Sequence, residues 1–150
     1  MNINFRKANK NDIEFIIDCF IKIKEDAGFK KIEPISKSRI INDLLLDNPK
    51  AVCLIVENEG DSIGVVLYST LYYVDTGQIM NVNQFYLKEC YRGKGLFNNI
   101  LKELNSISKQ NGYSYIGWEV WPKYIKAKEL YSHVVDNSGV DYTHFYKKVK

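Results

Sequence analysis

The sequence predicts a mixed α/β (α+β) fold in the order β-α-α-β-β-β-α-β-α-β, one mixed sheet with helices on its faces. Three observations carry this. Strand-like runs follow one another from Ala51 to Leu87, separated by turn residues. Segments with apolar residues at helical spacing lie before and after them. And Val82 to Leu87 runs straight into Glu89-Cys90-Tyr91-Arg92-Gly93-Lys94-Gly95-Leu96-Phe97, which opens a helix.

Asn2 to Ala8 reads as the first strand. Asn11 or Asp12 can cap a helix carrying Ile13, Ile16, Ile17, Phe20 and Ile21, with Gly28 at its end. A linker containing Pro34 leads to a short helix capped by Ser36 or Ser38 and carrying Ile40, Ile41, Leu44 and Leu45. Ala51 to Glu57 is a buried-type strand, and Asn58-Glu59-Gly60-Asp61 is a hairpin turn. Ile63 to Val74 returns, and Asp75-Thr76-Gly77 turns the chain into the strand Gln78 to Leu87. Beyond the glycines, Leu96, Phe97, Ile100, Leu101, Leu104 and Ile107 mark an amphipathic helix closed by Asn111-Gly112. Tyr113 to Trp121 is a strand. The next helix shows Ala127, Leu130, Tyr131 and Val134 on one face, and Val140 to Lys148 is a last strand after the turn Asp136 to Gly139. No repeat, low-complexity stretch or internal boundary appears, so residues 1–150 read as a single domain.

Composition narrows the class. A chain of 150 residues, 45% hydrophobic, can build a core without disulfides or metal. A net charge of +3 is too small to argue for nucleic acid, and Lys30-Lys31 and Lys147-Lys148 are short solvated runs. Three cysteines and no apolar leader favour a reduced, cytoplasmic protein. Cys19 and Cys53 fall in apolar runs and read as core. With only His133 and His144, no metal-ligand spacing is present. No run approaches the roughly 18 apolar residues that span a bilayer.

The loop from Glu89 to Phe97 carries the chemistry. Gly93 and Gly95 permit left-handed backbone, so successive N–H groups can converge on one point. The following helix adds its unpaired N–H groups and the positive end of its dipole. Arg92 and Lys94 add two cations, and the whole suits a phosphate or pyrophosphate. A P-loop is excluded, because four residues between glycines and a Lys-Ser/Thr pair are missing. A dinucleotide fingerprint is excluded by Asn98, where a third glycine would stand.

What remains, x-x-Arg-Gly-x-Gly between a strand and a helix past mid-chain, resembles the acyl-CoA loop of the GNAT family of N-acetyltransferases. The element order resembles that family's fold from Asn2 to Lys148. The resemblance implies acetyl-CoA as donor and CoA as product, with the pyrophosphate on backbone amides of Arg92, Gly93, Lys94, Gly95, Leu96 and Phe97. It assigns the pantetheine and acetyl carbonyl to backbone groups of Phe85, Tyr86 and Leu87, where the fourth and fifth strands splay. An amide aimed at the thioester oxygen would steady the oxyanion.

In the same family a helix ending in Leu-Tyr faces the cofactor sulfur, and Leu130-Tyr131 matches it. Tyr131 is therefore the candidate proton donor to the leaving thiolate. A phenol near pKa 10 giving a proton to a thiolate near 8.5 is uphill by about 2 kcal/mol. Tyr131 also lies on the apolar stripe of its helix, where a core role is open. The base is less well marked. Many members carry a glutamate in the fourth strand, but the matching residues are Asn83-Gln84. Glu119, on the neighbouring strand with the parity of Tyr115 and Trp121, is the nearest carboxylate and would have a raised pKa if partly desolvated. A solvent-facing glutamate, a water chain or an amine arriving neutral are the alternatives.

Several residues depart from the family pattern. Cys90 stands where Gln or Arg usually opens the motif, and Phe97 replaces a common glycine. Tyr124 occupies a place near the cofactor often held by asparagine, and Val135-Asp136 stands for a usual Gly-Phe pair. Acceptor choice in this fold belongs to the first two helices, their linker and the loop between strands three and four, here Glu25 to Lys37 and Tyr72 to Gln78. Glu25, Asp26, Glu33 and Asp75 can attract a cationic amine, and Tyr72, Tyr73 and Trp121 can form an aromatic wall. The expected acceptor is an amine on a small molecule or peptide. The rivals are a non-catalytic acyl-CoA-binding domain and a modifier of protein or charged tRNA. Sheet edges leave a homodimer open.

Overall fold

The computed structural model describes residues 2–120 and 124–134. The chain divides into two compact units, Met1–Trp118 and Glu119–Lys150. In the first, a five-stranded sheet has the order β1-β2-β3-β4-β5, built from β1 (Ile3–Lys7), β2 (Val52–Asn58), β3 (Asp61–Tyr73), β4 (Gly77–Leu87) and β5 (Tyr115–Trp118). The first four strands are antiparallel neighbours, and β5 joins β4 in parallel through α3 (Leu96–Gln110). The helices α1 (Ile13–Asp26) and α2 (Lys37–Leu44) link β1 to β2.

The continuous apolar run of β2 marks a strand buried on both faces, and its residues divide accordingly. Leu54 and Val56 join Ile63, Val66, Tyr68, Met80 and Leu87 against Leu96, Ile100 and Leu104 of α3. Cys53 and Ile55 join Val65 and Tyr86 against Ile16 and Cys19 of α1 and Ile40 of α2. Burial pushes the thiols of Cys19 and Cys53 up to about 12, which leaves them inert.

The start of α1 differs from expectation. Asp12 holds the cap position, but a 3-10 turn at Lys10–Asp12 precedes the helix, and Asn9 caps that turn. The Asn9 carboxamide accepts from Asn11 N–H at 2.9 Å, while Asp12 accepts from Asn9 N–H at 2.8 Å. The Asp12 carboxylate is taken by Arg6, which donates to it through both terminal nitrogens at 2.7 and 2.8 Å. Arg6 Nε also donates to Glu57 at 2.6 Å, so one guanidinium ties β1, β2 and the entry to α1 together. Ser36 caps α2 by accepting from Arg39 N–H.

The second unit contributes α4 (Ile125–Ser132), with Tyr124 at its cap position. Tyr131 and Val134 are half-buried, but Leu130, expected beside them, is exposed. It stands one residue from Tyr131, a rotation of about 100° around the helix. The expected strand Val140 to Lys148, its preceding turn and Trp121 lie outside the described residues.

Candidate active site

The site begins with an irregularity in β4. Leu67 faces Gln84 and Tyr68 faces Val82, so Asn83 is an extra residue, a β-bulge. The pleat changes phase there. Met80 and Val82 point to the α3 side before it, and Phe85 and Leu87 point to the same side after it. The bulge thus frees Asn83 and Gln84, both exposed, while β4 stays packed.

The second feature is a fork. β5 pairs with β4 only from Ile79–Tyr115 to Val82–Trp118, whereas β4 continues to Leu87 along β3. Past Val82, β4 has no strand partner on its β5 side among the described residues, and this length carries Phe85, Tyr86 and Leu87. Phe97 of α3 meets Phe85 and Trp118 edge-on, at centroid distances of 6.0 and 6.3 Å. An aromatic seam therefore lines the α3 side of the fork. Phe97, which departs from the family's glycine, packs in that seam.

The third feature is the glycine loop. A 3-10 turn at Glu89–Tyr91 leaves β4, with Tyr91 N–H donating to Lys88 O and Arg92 N–H to Glu89 O. Gly93 and Gly95 then adopt φ of 71° and 74°, left-handed backbone that costs an L side chain about 1–2 kcal/mol. A Cβ at either would meet nothing within 4 Å, so the loop is open and the dihedral alone demands glycine. Gly95 is also the cap of α3 and has no side chain to cap it with. No carbonyl among the described residues accepts from the N–H groups of Gly93, Lys94 or Gly95. Unclaimed amides at the positive end of a 15-residue helix form an anion seat. The residues present therefore fit a pyrophosphate.

The two cations behave differently. Lys94 is exposed, with its Nζ 5.6 Å from the centre of the Tyr91 ring. Arg92 turns back to the scaffold. Its Nε donates to Leu87 O at 2.8 Å, its Nη2 donates to Asp26 at 2.9 Å, and its Cζ lies 5.1 Å above the Tyr86 ring. Sequence reasoning placed Asp26 on the acceptor side, not as the partner of Arg92, and did not single out Trp118; no local pattern marks either contact.

Glu119 lies one residue beyond β5, whose ladder ends earlier than expected, and its side chain is exposed. Burial raises the Tyr131 phenol above the ordinary tyrosine value, so it remains a protonated donor across neutral pH. Tyr124 is half-buried. On the acceptor side, Glu25 pairs with Lys22 at 2.7 Å and Glu33 with Lys31 at 2.9 Å, which dilutes the expected acidic field. Tyr72 and Tyr73 are exposed at the tip of β3.

Comparison with known proteins converges on one group. The sequence profile described as Acetyltransferase (GNAT) family matches residues 15–134. Thialysine N-epsilon-acetyltransferase of Mus musculus is 30% identical over 139 residues, covering 84% of this chain and 79% of that protein. Among solved structures, an aminoglycoside acetyltransferase from an uncultured soil metagenomic sample, in complex with sisomicin, superposes with a TM-score of 0.78. It is 11% identical, over 99% of this chain and 97% of that one. The ribosomal-protein-alanine N-acetyltransferase of Brucella melitensis biovar Abortus 2308 gives 0.75 at 14% identity, over 99% of this chain and 100% of that one. At those identities the two structures attest the fold. The matched profile spans most of the chain, including the forked strands and the glycine loop, and the protein belongs to the GNAT family of acetyltransferases.

Proposed function

We propose that this chain transfers the acetyl group of acetyl-CoA to a primary amine on a small molecule or peptide, by direct attack in a ternary complex, with CoA as product. One observation carries the reading. Two left-handed glycines and an uncapped helix N-terminus lie where β4 outruns β5, so an anion seat adjoins a length of β4 that has no strand partner on that side among the described residues. The relative that acts on thialysine supports an acceptor whose amine ends a short flexible chain.

Acetyl-CoA supplies an acyl group activated as a thioester. The N–H groups of Gly93, Lys94, Gly95, Leu96 and Phe97 are assigned to its pyrophosphate, with Lys94 as an exposed counter-charge; the Arg92 N–H, expected among them, is instead taken by Glu89 O, which leaves Arg92 at the root of the loop. The backbone of Phe85, Tyr86 and Leu87 is assigned to the pantetheine arm and the acyl oxygen, where a fixed N–H steadies developing negative charge. Tyr124 is assigned to the donor on the family resemblance alone. Tyr131 is assigned to protonate the leaving thiolate, and Glu119 to take the amine proton. We take residues 1–150 to work as one acetyltransferase domain in the cytoplasm. Free thiols at Cys19, Cys53 and Cys90 suit a reducing compartment. No helix among the described residues is long and apolar enough to cross a membrane.

A non-catalytic acyl-CoA-binding role is the second reading, favoured by the neutral Asn83 and Gln84 exposed on β4. Thermal unfolding separates the donor question from the catalytic one. Acetyl-CoA or CoA at about 100 times Kd should add roughly 2.7 kcal/mol, a rise of about 5–10 °C, with little effect from ATP. No rise at millimolar acetyl-CoA would mean that the loop is only a turn. A rise without turnover on lysine-like amines, aminoglycosides or peptides would favour the second reading.

A further inference from the structure

We infer that Arg92 is a positioning residue, whose guanidinium locks the glycine loop to the end of β4 and to the last turn of α1. Occupancy of the loop is thereby felt at the start of the α1–α2 linker. The inference rests on the donor-site reading above and goes beyond it, because a loop arginine beside a phosphate seat would ordinarily be assigned to the phosphate.

The geometry points elsewhere. One guanidinium meets three groups from three places: the carbonyl that closes β4, the carboxylate that closes α1, and the Tyr86 ring from the core on the α1 side. Asp26 and Arg92 are 66 residues apart in sequence, so the contact is long-range and ties the loop itself to the end of α1. An ion pair at the surface contributes little alone. Here the carbonyl and the ring already fix the guanidinium, so the pair forms without ordering a free side chain. A planar fork can serve all three at once, and an ammonium cannot.

Asp26 leads directly into the capping turn of α1. Ala27 N–H donates to Ile23 O at 3.0 Å, Gly28 N–H to Glu25 O at 2.8 Å and Phe29 N–H to Lys24 O at 3.0 Å. Ligand on the loop holds Arg92, Arg92 holds Asp26, and Asp26 holds this turn. The coupling is reciprocal, so a disordered turn weakens the loop. Lys94, which has no ion pair among the described residues, is left as the cation free to reach an anion.

Two surface variants test this by calorimetric titration with CoA and by hydrogen exchange at Ala27, Gly28 and Phe29. The wild type should bind CoA and protect those three amides on binding. Arg92→Lys keeps the charge but loses the fork, and should weaken CoA by about tenfold with the protection abolished. Asp26→Asn should weaken CoA by about two- to fivefold. A direct phosphate contact predicts the opposite pattern, with Arg92→Lys near the wild type and Asp26→Asn tighter through loss of a negative charge. Either of those results overturns the inference, as does a lowered unfolding temperature with unchanged Kd. Failure of the wild type to bind CoA would overturn the donor-site reading, and the inference with it.

Discussion

Asp12 is buried and keeps its charge because Arg6 reaches it with two nitrogens and Asn9 N–H supplies a third bond. These bonds hold its carboxyl below the ordinary range, the Arg6 bonds first and the Asn9 bond next, against the opposing cost of burial. A depressed folded-state pKa stabilises the protein above the unfolded value near 3.9, and that stability is lost as pH falls through the lower folded value. Asp12→Asn should therefore cost about 2 kcal/mol at pH 7 and much less near pH 2, so urea midpoints of the two proteins should converge on acidification. Equal separation at both pH values would mean that the charge plays no part. Tyr131 belongs to the same scale. Burial makes its phenol a weaker acid, so its help to the thiolate is bounded, and Tyr131→Phe should lower kcat by roughly 10- to 100-fold. An unchanged kcat would remove it from the mechanism.

Among the elements, β4 carries the strand end assigned to the donor, and β3 holds that end in place. Gly64 faces Leu87 across the ladder, and a Cβ at Gly64 would come within 2.3 Å of Tyr86 O and 2.8 Å of Leu87 Cδ2. Backbone cannot yield as a flexible side chain does. Gly64→Ala should cost about 2–3 kcal/mol and raise the acetyl-CoA KM, because the strand end that must move is the one assigned to the donor. Unchanged unfolding and KM would show that β4 shifts freely. β2 and α3 were readable because each keeps one pattern over its length, the two-faced run and the apolar stripe, and the hairpins because Asn58 to Asp61 and Asp75 to Gly77 are turn residues. The bulge left only a trace, the 2-3-2 spacing of Met80, Val82, Phe85 and Leu87. Asn9 was missed as a cap because a 3-10 turn intervenes before the regular helix. The glycine loop was legible because left-handed backbone restricts residue type. The direction of Arg92 was not, since its partner Asp26 lies on another element and pairing across the fold leaves no spacing to read.

For the molecule as a whole, the forked sheet joins two kinds of connection. β2, β3 and β4 follow one another through tight turns, whereas β5 reaches β4 only through the α3 crossover, and then pairs over four residues. Contacts between sequence neighbours close cheaply, and a parallel crossover closes late. The meander is therefore the part expected to form in the folding transition state. Val65→Ala should slow folding, while Ile116→Ala on β5 should mainly hasten unfolding, a difference that stopped-flow chevrons resolve. Similar φ values at the two positions would contradict this order. Its consequence concerns birth rather than catalysis. A chain leaving the ribosome can complete its hairpins before residue 90, but the fork does not exist until β5 has emerged and docked. On the proposed reading, the donor site is thus completed in one late step, and a nascent chain stalled before that step has the antiparallel sheet without the fork.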